Sequence, residues 1–245
     1  MQLISKKRAS AKDAAINYGV QRRFILTKTS NFQVQEAYKT LRANIRFALH
    51  GEGCKKFCIT SSQAGEGKSI TMLNLAISFA QTGQKVLLID ADLRRPSLAK
   101  LLVEKQAPGL SNVLAGLATP EEAVRKEMYP CLDILFSGEI PPNPSELLGS
   151  EGMKQLIERM SHQYDYILVD MPPVGIVSDV CVAANFLDGA LFLVRQGVSE
   201  RDVVAKGIRQ LELAGVRLLG FVFNGSAEEK RRGMKHYAYD SNQNR

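Results

Sequence analysis

Short apolar runs recur along the chain, each bounded by turn residues: Phe57–Thr60, Val86–Asp90, Leu132–Phe136, Tyr166–Asp170, Ala190–Val194 and Leu219–Phe223. Continuous runs of this length, rich in β-branched residues, predict strands buried on both faces, as in a parallel sheet. Between them the apolar positions take helical spacing, over Ser69–Gln81, Pro120–Lys126, Glu151–Ser161 and Glu200–Ala214. This alternation predicts an α/β fold: one doubly wound, mostly parallel sheet flanked by helices, with right-handed crossovers. Gly138–Pro144 reads as a proline-rich loop before a helix, and the polar stretch from Glu228 has no apolar period. The expected organisation is a basic arm over 1–28, a folded body over 29–227 and a tail over 228–245.

Composition narrows the class. The chain has 245 residues, 45% hydrophobic and 23% charged, with no apolar run near the ~20 residues a bilayer span needs. The start lacks the apolar stretch of a secretory signal, so a cytosolic globular protein is expected. The net charge is +7, but it is uneven: +6 over residues 1–28, −1 over 29–227 and +2 over 228–245. A neutral body argues against a nucleic-acid face. A basic arm suits an anionic membrane surface. The four cysteines form no metal-ligand cluster, and Cys58 and Cys131, in apolar runs, are expected as reduced core residues.

The most specific stretch is Phe57-Cys-Ile-Thr-Ser-Ser-Gln-Ala-Gly-Glu-Gly-Lys-Ser69. A strand runs into a small-residue loop, and a helix leaves at Lys68-Ser69. The strict phosphate-loop pattern G-x-x-x-x-G-K-[ST] fails only at Ser62. Gly65 and Gly67 let backbone N–H groups approach phosphate oxygens, Lys68 brings a cation, and Ser69 offers a hydroxyl to Mg²⁺ at a helix N-terminus. Ala64, Glu66 and Ile70 complete the expected cradle. Two apolar strands end in carboxylates: VLLIDAD places Asp90 and Asp92, followed by Arg94 and Arg95, and YILVD places Asp170. Ligands of open α/β sheets bind beyond the strands' carboxyl ends, so the three stretches together predict a Mg–nucleotide site.

The Glu-Gly-Lys-Ser loop, the strand LLIDADLRRP, the loop SGEIPPNPSELL and the strand ILVDMPPV resemble those of the bacterial tyrosine kinases of capsule and exopolysaccharide synthesis. The resemblance covers roughly residues 29–225 and includes the family's opening helix, Val34–Arg46. It is closest to the split type, in which a separate membrane protein supplies the transmembrane activator. It implies an ATP-dependent protein-tyrosine autokinase with Mg²⁺ as cofactor. Lys68 and the loop amides would hold the phosphates. Ser69, Asp92 and Asp170 would organise the metal, and Asp90 would deprotonate the acceptor tyrosine. Arg94 and Arg95 would neutralise nearby charge or steer the acceptor, and Asn224 would contact adenine. Autophosphorylation would fall on Tyr237 and Tyr239 of the tail, in trans. Glu36, Lys39 and Arg42 would build a homo-oligomer, a ring octamer in the family, although lysine stands where the family carries arginine. The implied partners are a membrane-anchored activator, or chain-length regulator, and a tyrosine phosphatase, with no nucleic acid. The implied location is cytoplasmic, at the inner face of the membrane.

Two other readings compete. A positioning or partitioning ATPase would share the loop but needs a lysine at the position of Gln63. A non-catalytic switch would bind ATP without labelling tyrosine.

Overall fold

The computed structural model describes residues 18–225. Tyr237 and Tyr239, the expected acceptors, lie outside the described residues, as does most of the expected basic arm. Seven strands form one sheet: β1 (Lys55–Ser61), β2 (Val86–Asp90), β3 (Val124–Tyr129), β4 (Leu132–Leu135), β5 (Tyr166–Asp170), β6 (Gly189–Arg195) and β7 (Leu218–Asn224). Their order is β3-β4-β2-β5-β1-β6-β7, and every neighbouring pair is parallel except β3 with β4. The predicted α/β class and all six predicted strands are present.

The helices on the two faces are α1 (Phe32–Ala48), α2 (Lys68–Ala80), α3 (Leu98–Leu102), α4 (Leu110–Leu114), α5 (Pro120–Ala123), α6 (Pro144–Leu148), α7 (Glu151–Ser161), α8 (Asp179–Ala183) and α9 (Arg201–Leu213). Helix α2 is the central one. Met72, Leu73, Leu75, Ala76, Ile77 and Phe79 are all buried, because the sheet lies on one side of it and α1 on the other. A helix apolar nearly all round is a buried helix. Phe79 stacks on Phe57 of β1 and Tyr166 of β5, with ring centroids 6.2 and 4.2 Å away. These contacts fix the helix that carries Lys68 and Ser69 against the strands that carry the carboxylates. Among the described residues no helix is long and apolar enough to cross a membrane.

Three expectations need correction. The helix predicted over Pro120–Lys126 ends at Ala123, and the chain continues as the antiparallel edge strand β3. Thr119 and Glu122 close a capping box that starts the helix. Asp133 then draws Lys126 and the Glu127 N–H to β4 at 3.0 and 2.7 Å, so strand pairing overrides the helical spacing. Cys131 is exposed, not core: it sits at φ +63° in the β3–β4 turn. The arm boundary at residue 28 falls inside packed structure. Leu26 is buried and its N–H donates to Asn74 Oδ1 of α2 at 2.7 Å, while Arg22 donates to the carbonyls of Leu101 and Lys100.

Candidate active site

Parallel pairing brings the carboxyl ends of β1, β2, β5, β6 and β7 to one edge of the sheet. The loop from Ser62 to Gly67 leaves β1 there and enters α2. Gly65 and Gly67 have φ of +82° and +100°, the left-handed region that glycine adopts without strain. A Cβ on Gly67 would lie 2.4 Å from Asn224 Nδ2, so the Asn224 side chain would have to shift. Space is tight behind the loop as well. A Cβ on Gly175, in the segment after β5, would meet the Ser62 carbonyl oxygen at 2.3 Å. Thr60 fixes that segment by donating to the Pro172 carbonyl at 2.8 Å and accepting from the Val174 N–H at 3.0 Å.

The two strand-terminal aspartates are register partners on adjacent strands β2 and β5. Register partners of parallel strands point to the same face, so the two carboxylates stand side by side. Both are fully buried. Burial, Asp170 and Asp92 together hold Asp90 well above the usual carboxylate range. Asp90 accepts two long hydrogen bonds, from the N–H groups of Asp92 at 3.3 Å and Leu98 at 3.2 Å. Asp170 is also raised, chiefly by burial, against the pull of Lys68 and the Ser69 hydroxyl. Neither Asp170 oxygen has a hydrogen-bond partner among the described residues. Two buried like charges, one of them with both oxygens orphaned, are costly unless a cation joins them.

Lys68 is buried beside this pair, and Ser69 Oγ lies 2.7 Å from Ser97 Oγ. Asp92 Oδ1 accepts from the Arg95 N–H at 2.9 Å, which closes a turn in the loop after β2. Among the described residues no cluster of three or more His, Cys, Asp or Glu is arranged to hold a metal alone. Mg²⁺ typically takes one or two carboxylates, phosphate oxygens and water, and the orphaned Asp170 oxygens fit that demand.

Other expected residues have different partners. Arg94 donates from Nε and Nη2 to Asp179 at 2.8 and 3.0 Å, and from Nη2 to Ser145 Oγ at 3.0 Å. Asp179 is fully buried and needs a counter-cation, which the planar fork supplies. Arg94 therefore ties the loop after β2 to α6 and α8. Asn224, expected at adenine, donates to the Glu66 carbonyl at 2.8 Å. Glu36 and Lys39 pair at 2.7 Å on the exposed side of α1. Arg42 turns inward and bonds the carbonyl and hydroxyl of Ser78 on α2.

Sequence reasoning missed Arg195 and Ser199. Arg195 donates to the Gly65 carbonyl at 2.7 Å, and the Ser199 hydroxyl binds the Glu66 carboxylate. They follow the loop by some 130 positions, and their motif-free surroundings carry no local signal.

The AAA domain family matches residues 54–186. Tyrosine-protein kinase YwqD of Bacillus subtilis (strain 168) is 40% identical over 207 residues, spanning 84% of this chain and 87% of that protein. The chain belongs to the bacterial tyrosine-protein kinase family. The kinase domain of Escherichia coli tyrosine kinase ETK is similar in structure with a TM-score of 0.76 at 34% identity, covering 84% of this chain and 80% of that one. The septum site-determining protein MinD of Pyrococcus horikoshii OT3, complexed with Mg-ADP, is similar at a TM-score of 0.60 and 26% identity over 73% of each chain. The kinase thus has the P-loop nucleotide-binding fold.

Proposed function

We propose that this kinase is an ATP-dependent tyrosine autokinase that regulates capsular or exopolysaccharide synthesis and export. The observation that carries the reading is the pair of buried, register-matched carboxylates beside the phosphate loop, one of them with both oxygens orphaned. The Gly65–Ser69 amides and Lys68 receive the phosphates. Asp170, Asp92 and Ser69 would hold Mg²⁺, which would neutralise phosphate charge when bound. Asp90 takes the proton of the acceptor phenol. The phenol, with a pKa near 10, needs such a base at neutral pH. The phosphoryl group passes to the tyrosine oxygen, and ADP leaves. Such transfer needs mainly positioning and charge neutralisation.

The acceptors are Tyr237 and Tyr239 of a neighbouring copy, and a tyrosine phosphatase reverses the labelling. Each phosphate adds roughly −1.5 to −2 charge to a tail of +2. A membrane-anchored activator recruits the kinase to the inner face of the membrane. The positioning-ATPase reading is disfavoured by Gln63, which stands where that class needs a lysine.

The test incubates the full chain with Mg–ATP and the cytoplasmic segment of its activator, then maps phosphotyrosine by mass spectrometry. The wild type should be labelled at Tyr237 and Tyr239. Lys68→Met should lose labelling while keeping its fold. Labelling that survives in Lys68→Met, or phosphate release without phosphotyrosine in the wild type, overturns the assignment.

A further inference from the structure

The phosphate loop is two glycine hinges around one rigid residue. Gly65 and Gly67 both have positive φ, and Glu66 between them is fully buried. A buried carboxylate next to a site for anions is electrostatically adverse unless donors consume its charge. Here three do. Ser62 Oγ donates to Oε1 at 2.8 Å, the Gln63 N–H donates to Oε2 at 2.9 Å, and the Ser199 hydroxyl donates to Oε1. These bonds hold Glu66 below its ordinary pKa in spite of its burial, which acts the other way. Ser199 is oriented in turn. Its oxygen accepts the Arg195 N–H at 2.7 Å, which leaves its own proton for Glu66. Asn224 Nδ2 on the Glu66 carbonyl and Arg195 Nη1 on the Gly65 carbonyl hold the backbone of the same two residues, at 2.8 and 2.7 Å.

We propose that Glu66 is a positioning residue for phosphoryl transfer, with Ser199 its main partner: the buried carboxylate, locked from the β6–α9 loop, presets the Gly65–Ser69 amides in their phosphate-receiving arrangement. The proposal rests on the reading that ATP phosphates occupy this loop. A glycine-flanked segment without such an anchor pays its ordering entropy when nucleotide binds. The lock removes that cost beforehand. It also explains why a carboxylate is tolerated in a cradle for phosphate: its lone pairs face the protein, and the loop amides are left for the ligand.

The variants are Ser199→Ala, Glu66→Gln and the conservative Ser199→Thr, each in the full chain. Glu66→Gln removes the carboxylate charge and leaves one acceptor oxygen for the Gln63 N–H, while its N–H₂ meets the Ser62 and Ser199 hydroxyls, which must give up donating in order to accept. Two readouts are taken: hydrogen exchange of the Gly65–Ser69 amides without nucleotide, and the KM for ATP and kcat of tyrosine labelling. Ser199→Ala and Glu66→Gln should speed loop exchange and raise KM about tenfold or more, the scale of losing a hydrogen bond to a charged group. A loss of phosphate positioning in the bound state falls mainly on KM, so the rise in KM should exceed any fall in kcat. Ser199→Thr should restore both. Unchanged loop exchange, or a KM equal to wild type in both variants, overturns the positioning role. If the variants loosen the loop but wild type binds no Mg–ATP, the nucleotide reading is what falls.

Discussion

Asp170 carries a cost that only function explains. It is fully buried, both oxygens lack hydrogen-bond partners among the described residues, and burial raises its pKa despite Lys68 and Ser69. A carboxyl whose folded pKa exceeds its unfolded value of ~3.9 subtracts stability at every pH above that value. Asp170→Asn should therefore raise the melting temperature of the nucleotide-free chain at pH 7.5 by roughly 2–4 °C, the shift expected for about 1 kcal/mol. The gain should fade as pH falls toward 4, where the wild-type carboxyl protonates even when unfolded. Tyrosine labelling should drop by about two orders of magnitude or more with the proposed metal ligand gone. A variant no more stable than wild type would show that the charge is not a burden on the fold. At this scale Lys68, Asp90 and Asp170 were legible in the sequence, because each stands where a regular element begins or ends. Arg94 was legible only as a charge. Its partner Asp179 lies 85 positions away.

The edge hairpin β3–β4 shows an element decided by a cluster, not by its own propensity. Asp133 on β4 accepts from Lys126 Nζ at 3.0 Å, Tyr164 OH at 2.6 Å and the Glu127 N–H at 2.7 Å, while Lys126 also reaches Tyr164 OH at 2.8 Å. Burial pushes the Asp133 carboxyl up, and these donors outweigh it and hold it low. A depressed carboxylate pKa gives stability that is complete above the unfolded value and lost as pH falls through the folded one. The Asp133 contribution should thus be full above about pH 4 and vanish below it. Asp133→Asn should flatten the change in melting temperature between pH 5 and pH 3 relative to wild type. Equal slopes in the two proteins would remove Asp133 from the acid response. The helical spacing of Pro120–Lys126 could not reveal this, since the pull on Lys126 comes from Asp133 and Tyr164, outside the window.

At the scale of the whole molecule, three of the four charged residues of α1, Glu36, Lys39 and Arg42, divide into two roles. Glu36 and Lys39 pair on the exposed side of the helix, whereas Arg42 anchors α1 to α2 through Ser78. We infer that Glu36 and Lys39 are what this helix offers to a neighbouring copy. Lys39→Ala should lower the assembly size measured by light scattering and leave the melting temperature within about 1 °C, as for exposed pairs. Arg42→Ala should lower the melting temperature by roughly 2–4 °C, for about 1 kcal/mol of lost anchoring. An assembly unchanged by Lys39→Ala would place the contact between copies elsewhere.

The sequence by itself determined the class of fold, the phosphate loop and the identities of the carboxylates. Those features are local: a buried parallel strand is a continuous apolar run, and a strand-to-helix phosphate loop needs glycines at fixed spacing. Only the tertiary structure decided what holds the loop, where Arg42 and Arg94 turn, and that Cys131 faces solvent. These depend on which strand ends meet at one sheet edge. The order β5-β1-β6-β7 carries Arg195 to Gly65, and Ser199 and Asn224 to Glu66, from over 120 residues away. Pairing across that distance is set by sheet topology, which leaves no periodicity in the residues it joins.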